Sequence, residues 1–130
     1  MWVFCKEGGV SIVRAPKSAD RRLTEYGKRC FQVRGRELKT LDDVRRKYAP
    51  KSASKIETTH GRDYAYRFYV SESALGTMMA AMAMSIDYEN FKDASKGPSY
   101  YHGLLMQIWS RWMDAAGTGI HSRFFSREYE

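Results

Sequence analysis

Residues 64–70 read YAYRFYV, and this alternation predicts a β-strand with one buried face. The even-numbered positions are all aromatic or aliphatic, whereas the odd-numbered ones include Arg67 and Tyr69. Because successive side chains of a strand point to opposite sides of the sheet, Arg67 and Tyr69 are expected on the outer face. Residues 55–59 are also typical of a strand, and the intervening residues 60–63 (HGRD) predict a turn that joins the two as a hairpin.

A second hairpin is predicted at the start of the chain. Residues 2–6 and 10–15 are apolar strand candidates, and the turn signal Glu7-Gly8-Gly9 separates them. Residues 30–36 (CFQVRGR) alternate apolar and polar side chains and predict a further strand with one buried face. The sequence therefore predicts about five strands, most of them joined as hairpins.

Capping residues and apolar spacing predict three helices. Thr40 is expected to begin the first helix, which ends before Pro50. Ser71 begins the second helix, and Ser99 begins the third, which Gly117 stops. The helix residues expected to face the core are Leu41, Val44, Tyr48, Leu75, Met78, Met79, Met82, Ile86, Leu104, Leu105, Ile108, Trp109 and Trp112.

Strands in hairpins and helices in blocks predict an α+β fold, with a mainly antiparallel sheet of about five strands and three helices packed on one face. A ferredoxin-like arrangement of residues 31–86 is one topology that fits this order. Residues 16–20 predict a loop, and the charged segment 21–28 matches neither a helix nor a strand pattern. The length suits one domain, which we assign to residues 1–119, with a C-terminal tail at 120–130.

Positive charge is concentrated in the first part of the chain. The whole sequence has 22 Lys and Arg against 15 Asp and Glu, a net charge of +7. Residues 1–70 carry a net +9, whereas residues 71–130 carry −2. This asymmetry favours a basic surface that binds an acidic or polyanionic partner. The alternative is that these side chains only solvate turns and strand edges.

Basic and aromatic residues alternate on the outer face of the predicted sheet. Gln32, Arg34 and Arg36 share one face of their strand, and Arg67 and Tyr69 lie outward on a later one. Such a face could hold phosphates and stack bases, or equally dock onto an acidic protein. The residues predicted to contact a partner or nucleic acid are Arg21, Arg22, Lys28, Arg29, Arg34, Arg36, Arg45, Arg46, Arg67 and Tyr69.

No catalytic constellation is predicted, so we do not expect an enzyme. His60 and His102 have no partner at ligand spacing, and a base would also need an orienting group. Cys5 and Cys30 are expected to be buried thiols, and a bridge between them is the alternative if their strands pair. The acidic residues between 87 and 93 are expected to shape a turn rather than to bind a metal. We predict no metal and no cofactor.

The sequence carries no apolar run of membrane-spanning length, and charge appears too early in the chain for a signal peptide. We therefore expect a cytoplasmic protein without a membrane partner. Two cysteines exclude a disulfide framework. The sequence leaves the oligomeric state open.

Four strings together carry a family resemblance: residues 11–13 (SIV), 33–36 (VRGR), 63–68 (DYAYRF) and 86–92 (IDYENFK), the last preceding a helix with Trp109. The chain resembles a family of short, uncharacterised proteins from bacteria and their phages, over about residues 10–113. The Ile-Asp-Tyr-x-Asn-Phe-Lys string is the most specific part. The resemblance implies an origin in a bacterium, phage or mobile element, and it implies no activity.

Two functions fit these observations. The first is a small non-catalytic interaction protein, such as an anti-CRISPR-type inhibitor of host defence, that binds a nucleic-acid-handling complex or its acidic surface. The second is a direct DNA- or RNA-binding regulator that uses the basic N-terminal half. This chain departs from its apparent relatives in the basic segment 20–29 and after Trp112, so a function of its own could lie there.

Overall fold

The computed structural model describes residues 1–26 and 29–117. It contains five strands, β1 (Trp2–Cys5), β2 (Gly8–Arg14), β3 (Phe31–Gly35), β4 (Glu57–Thr58) and β5 (Tyr66–Val70). They form one antiparallel sheet in the order β1-β2-β3-β5-β4. The predicted α+β class and strand number are confirmed. The ferredoxin-like arrangement predicted for residues 31–86 is present: β3 and β4 each pair antiparallel with β5, so they are parallel to each other and α2 connects them as a split β-α-β unit around β5.

The described residues form five helices, α1 (Asp20–Tyr26), α2 (Leu38–Tyr48), α3 (Glu72–Met84), α4 (Phe91–Ala94) and α5 (Tyr101–Ala116). A short 3-10 turn at Lys17–Ala19 leads into α1. Helix α1 lies in the segment that the sequence left unassigned, since it contains no buried residue and therefore no apolar stripe. Within the described ranges, no helix combines the length and apolar character needed to cross a membrane.

The core lies on one face of the sheet, under α2 and α3. Ile12, Val33 and Phe68 are directly opposite one another on three adjacent strands and are almost fully buried. The helix residues buried in the same cluster are Leu41, Val44, Tyr48, Ala74, Met78 and Met82. The inner face predicted for α2 is therefore confirmed, as are Met78 and Met82 of α3. Ile86 was predicted wrongly, because α3 ends before it and its side chain is exposed.

Two of the predicted helix starts differ from the structure. Helix α2 begins at Leu38 with Glu37 as the N-cap, so Thr40 lies within the helix and not at its start. Thr40 is buried because its side chain packs against Gly8 in the β1–β2 turn. Helix α5 begins at Tyr101. The cap of α3 is confirmed, since the Ser71 hydroxyl accepts a hydrogen bond from a backbone amide of its first turn.

Fewer side chains of helix α5 are buried than its apolar periodicity predicted. Tyr101 and Leu105 are buried, whereas Trp109 and Trp112 are exposed, Trp112 by 74%. The reason is that α5 is anchored through its first turns, where the Tyr101 hydroxyl donates to the carbonyl of Cys5 at 2.9 Å. Periodicity shows which residues share a helix face, but it does not show how far along the helix a neighbour extends.

A buried carboxylate in the β1–β2 turn forms hydrogen bonds with residues of α2. Glu7 is only 6% exposed and accepts hydrogen bonds from the Tyr48 hydroxyl at 2.9 Å and from the Lys47 ammonium at 3.0 Å. Cys5, which lies two residues before Glu7, is a free thiol, and so is Cys30. The alternative of a bridge between them is wrong, because β2 separates the strand of Cys5 from β3.

Candidate anion-binding site

The candidate site lies on the outer face of the sheet, where β3 and β5 are adjacent. Arg34 of β3 is directly opposite Arg67 of β5, and Gln32 is directly opposite Tyr69. Because side chains alternate along a strand, these four project away from the core face. The register of the sheet thus places two guanidinium groups next to each other. Like charges directly opposite destabilise a strand pair, so an anion bound between them would remove an unfavourable interaction.

These four residues form the floor of a pocket of about 610 Å3. Helix α1 and the turn before it form one wall, and β4 with the turn that leads to β5 forms the other. We call it the arginine pocket, and its lining residues are Pro16, Ser18, Ala19, Arg21, Arg22, Gln32, Arg34, Glu57, Arg62, Asp63, Tyr64, Arg67 and Tyr69. The five arginines and two carboxylates give the lining a net charge of +3.

Three buried polar atoms in the pocket lack a hydrogen-bond partner among the described residues. They are the Nε atoms of Arg34 and Arg67 and the Oε1 atom of Gln32. All three atoms are covered by neighbouring groups, and Gln32 as a whole is 7% exposed. Buried polar groups are normally hydrogen-bonded, and leaving one unpaired costs about 1–3 kcal/mol. Two unused donors and one unused acceptor on one pocket floor are typical of a site that receives a ligand.

The two floor arginines are held in place by their other atoms. Arg34 donates from Nη2 to the Ser11 hydroxyl at 2.7 Å, and Arg67 donates from Nη2 to the carbonyl of Tyr64 at 3.0 Å. The guanidiniums of Arg34 and Arg36 each lie 4.5 Å from the centre of the Tyr64 ring, which stabilises both by cation–π attraction. The guanidinium groups are thus oriented before any ligand arrives.

Both carboxylates of the pocket are held by arginines. Glu57 forms an ion pair with Arg22. Asp63 accepts two hydrogen bonds from Arg36, at 2.8 and 3.0 Å, and this guanidinium holds the pKa of Asp63 below its ordinary value. Among the described residues, neither carboxylate forms an ion pair with Arg34 or Arg67, although Asp63 is attracted to Arg34 at longer range. The positive charge of the floor is therefore available to a ligand.

The structure brings five of the ten predicted contact residues together. Those that line the pocket are Arg21, Arg22, Arg34, Arg67 and Tyr69. Arg36 lies beside the pocket, on the ring of Tyr64. Tyr69 is on the expected face but is only 6% exposed, with Arg22 5.5 Å from the ring centre. Tyr69 therefore forms part of the pocket floor and offers no open surface on which a base could stack.

The other predicted residues do not join the pocket. Arg29 is exposed and forms an ion pair with Glu72 at 3.2 Å. Arg45 donates to two backbone carbonyls of the loop after α2, at 2.7 and 3.3 Å. Arg46 pairs with the two aspartates of its own helix. Lys28 lies outside the described residues.

Sequence reasoning missed three charged pocket residues, Glu57, Arg62 and Asp63. Arg62 and Asp63 belong to the turn of the predicted second hairpin, and Glu57 lies directly opposite Arg67 on β4. The register of that hairpin was the signal that could have found Glu57. The sequence does not reveal this register, because β4 is only two residues long and carries no alternating pattern.

Two of the candidates for acid–base and metal chemistry, His102 and Asp87, are engaged in other contacts. The Nδ1 atom of His102 lies 2.7 Å from the backbone carbonyl of Lys92, and Asp87 forms an ion pair with Lys6 at 2.9 Å. Asn90 caps α4, and its side-chain oxygen accepts a hydrogen bond from the backbone amide of Lys92 at 3.1 Å. Over residues 1–26 and 29–117, no group of three His, Cys, Asp or Glu side chains is arranged to hold a metal ion.

Comparisons with protein-family models, with curated proteins and with solved structures found no match. The family resemblance carried by residues 11–13, 33–36, 63–68 and 86–92 therefore stays a prediction.

Proposed function

We propose that the protein is a small non-catalytic interaction protein that binds a phosphate group of nucleic acid in the arginine pocket. The nucleic acid is either free or part of a nucleic-acid-handling complex. The observation that carries this proposal is the pair Arg34 and Arg67, adjacent on the sheet and each with an unused, buried Nε donor. An origin in a bacterium, phage or mobile element rests on the family resemblance, and a role in counteracting host defence rests on that origin together with the small size of the chain and its lack of catalytic motifs.

The chemistry of the pocket favours phosphate as the anion. Guanidinium groups present a rigid fork of donors that matches the oxygens of phosphate, and charge-assisted bonds of this kind are about twice as strong as neutral ones. A pocket with a net charge of +3 and orphan donors suits a multiply charged, multiply accepting group. A single protein carboxylate has one charge and two oxygens, and it would leave more of the pocket unsatisfied.

The same geometry favours recognition of the backbone over recognition of bases. The Tyr69 ring is buried, and the Tyr64 ring lies close to two guanidiniums, so neither supplies an open stacking surface. Proteins that bind single strands without sequence preference usually add such surfaces to a basic groove. We therefore expect binding that depends on phosphate contacts and little on sequence.

The test is binding to fluorescently labelled single-stranded DNA and RNA, measured by anisotropy over a range of salt concentrations. Affinity should fall linearly on a log–log plot against salt, since each phosphate contact releases condensed counterions. The variant with both Arg34→Gln and Arg67→Gln should bind at least about tenfold more weakly, because it loses two charge-assisted contacts. Its salt slope should be shallower by about 1–2 units.

The matched control is Arg46→Gln. Arg46 is an exposed arginine of α2, which packs on the opposite face of the sheet. It should leave affinity within about twofold, because a distant exposed charge is largely screened. Absence of binding to DNA and RNA at low salt would contradict the proposal, as would full binding by the double variant. Equal binding of a polyglutamate peptide would instead indicate docking onto an acidic protein surface.

A further inference from the structure

Resting on the proposed function, we propose further that the arginine pocket receives a terminal phosphate, at a strand end or on a nucleotide, and not a phosphodiester within a strand. The unused Nε atoms of Arg34 and Arg67 are buried on the floor, between a wall from α1 and a wall that carries Arg62. A phosphate inside a strand is flanked by sugars on both sides, whereas a terminal phosphate projects from the chain and can enter a recess.

The charge of the floor matches a phosphomonoester. A phosphomonoester carries a charge of about −1.5 to −2 at neutral pH and has three free oxygens, whereas a phosphodiester has one charge and two free oxygens. Arg34 and Arg67 form no ion pair among the described residues, so two positive charges on the floor face the ligand. A phosphate dianion bound between the two guanidinium groups would compensate both of their positive charges.

The wall that carries the carboxylates is less favourable than the floor for a second phosphate. Glu57 and Asp63 belong to the same wall, each held by an arginine, Arg22 for Glu57 and Arg36 for Asp63. A continuing strand would bring further phosphates beside these carboxylates, whose charge the paired arginines compensate, so this wall attracts a phosphate less than the floor does. The same carboxylates can accept hydrogen bonds from sugar hydroxyls. They are therefore compatible with the nucleoside next to a terminal phosphate and less favourable to an extended backbone.

Gln32 gives independent support. Its side chain is more than nine-tenths buried in the pocket floor, and its Oε1 atom has no donor among the described residues. An internal phosphodiester offers no hydrogen to this acceptor. A nucleoside monophosphate offers one from a sugar hydroxyl, and any terminal phosphate offers one in its singly protonated form. The pocket volume of about 610 Å3 lies in the range of small-molecule sites and exceeds what a lone phosphate fills.

The experiment compares two labelled oligonucleotides of one sequence, phosphorylated at the end or bearing only hydroxyls, at fixed salt. The phosphorylated strand should bind about tenfold more tightly, the effect of one additional charge-assisted contact pair. An unlabelled nucleoside monophosphate should compete with it, and inorganic phosphate should compete less well. Arg46→Gln, the matched control, should keep the preference for the phosphorylated end.

Two variants separate this proposal from a general charge effect. Arg67→Lys keeps the positive charge but removes the guanidinium fork, so it should retain binding of the hydroxyl-ended strand and lose the end preference. Gln32→Leu removes the buried acceptor and should reduce the preference as well. Thermal unfolding of each variant identifies any that fails to fold, and Arg67→Lys is the conservative change on which the conclusion then depends.

The outcomes distinguish this proposal from the one on which it rests. Equal affinity for the two strands, with salt-dependent binding that still needs Arg34 and Arg67, overturns the terminal-phosphate proposal and leaves the proposed function standing. Absence of binding to either strand overturns both. Competition by inorganic phosphate as strong as that by the nucleotide also overturns it, since no part of the nucleoside would then be recognised.

Discussion

Replacing Gly8 by alanine should destabilise the protein severely, although the change adds one methyl group. Gly8 has a φ of +142°, a backbone conformation that side chains with a Cβ rarely adopt. An added Cβ would also lie 2.5 Å from the Cγ2 atom and 2.8 Å from the Oγ1 atom of Thr40. Thr40 is buried in α2, so it cannot turn aside into solvent.

The two effects can be given magnitudes. A residue forced into a sparsely populated backbone region costs about 1–3 kcal/mol. Inserting a methyl group into a packed contact costs about 1–3 kcal/mol more. The expected loss for Gly8→Ala is therefore about 2–6 kcal/mol, a large part of the 5–15 kcal/mol that typically separates folded from unfolded protein.

The assay is urea unfolding followed by circular dichroism, with two other glycines as matched controls. Gly61 has a φ of +79° but no atom within 4 Å of the place that an added methyl group would occupy, so Gly61→Ala should show only backbone strain, about 1–2 kcal/mol. Gly76 lies within α3 with open space around it, so Gly76→Ala should stabilise by about 0.5–1 kcal/mol. A double-mutant cycle of Gly8→Ala with Thr40→Ala isolates the steric part.

The reasoning would be refuted by a Gly8→Ala protein within about 0.5 kcal/mol of the wild type, the usual range of neutral surface changes. A cycle without coupling between Gly8 and Thr40 would show that the turn does not press on α2. A loss of equal size in Gly61→Ala would show that backbone strain alone is responsible.

Three further predictions concern the core and the caps. Burial acts to raise the pKa of Glu7, but the hydrogen bonds from Lys47 and Tyr48 outweigh burial and lower this pKa below its ordinary value. The Glu7 carboxylate therefore stabilises the fold above about pH 4.3, and this contribution is lost as the pH falls through the folded pKa. Tyr48→Phe should flatten this acid dependence of Tm and cost about 1.5–3 kcal/mol at neutral pH, and an unchanged Tm profile would contradict it. Ser71→Ala should cost about 1 kcal/mol in urea unfolding, because it removes the N-cap of α3, and a loss below a few tenths would mean that the cap is dispensable. Burial raises the pKa of Cys5 to about 12, so iodoacetamide should alkylate it far more slowly in the folded than in the unfolded protein, and equal rates by mass spectrometry would be the contrary result.

The sequence predicted the strands better than it predicted the helices. Residues 30–36 and 64–70 alternate with a period of two, and the structure contains β3 and β5 within them. Helix α1 escaped prediction, because it buries nothing and so carries no periodic signal. Trp112 was expected in the core and is exposed, since a helical stripe requires a neighbour along its whole length to become buried.

The sequence predicted that the candidate site would be basic, but it did not predict which of the arginines would come together to form it. Arg45 and Arg67 are equally basic in the sequence, yet Arg45 donates to loop carbonyls and Arg67 faces a pocket. The difference arises from strand register, which puts Arg34 opposite Arg67. Arg62 joins them only because the turn before β5 folds over the outer face, a contact between segments that composition does not encode.

The edges of the sheet limit how a partner can attach. An exposed edge strand usually invites another chain to pair with its backbone. Here the edge strands are only four and two residues long, and at the end of β1 the carbonyls of Cys5 and Lys6 already accept hydrogen bonds from Tyr101 and Lys96. The sheet is thus poorly suited to extension by strand addition or to edge-to-edge aggregation. A partner has to recognise the side chains of a face, which makes binding sensitive to single substitutions in a way that backbone pairing is not.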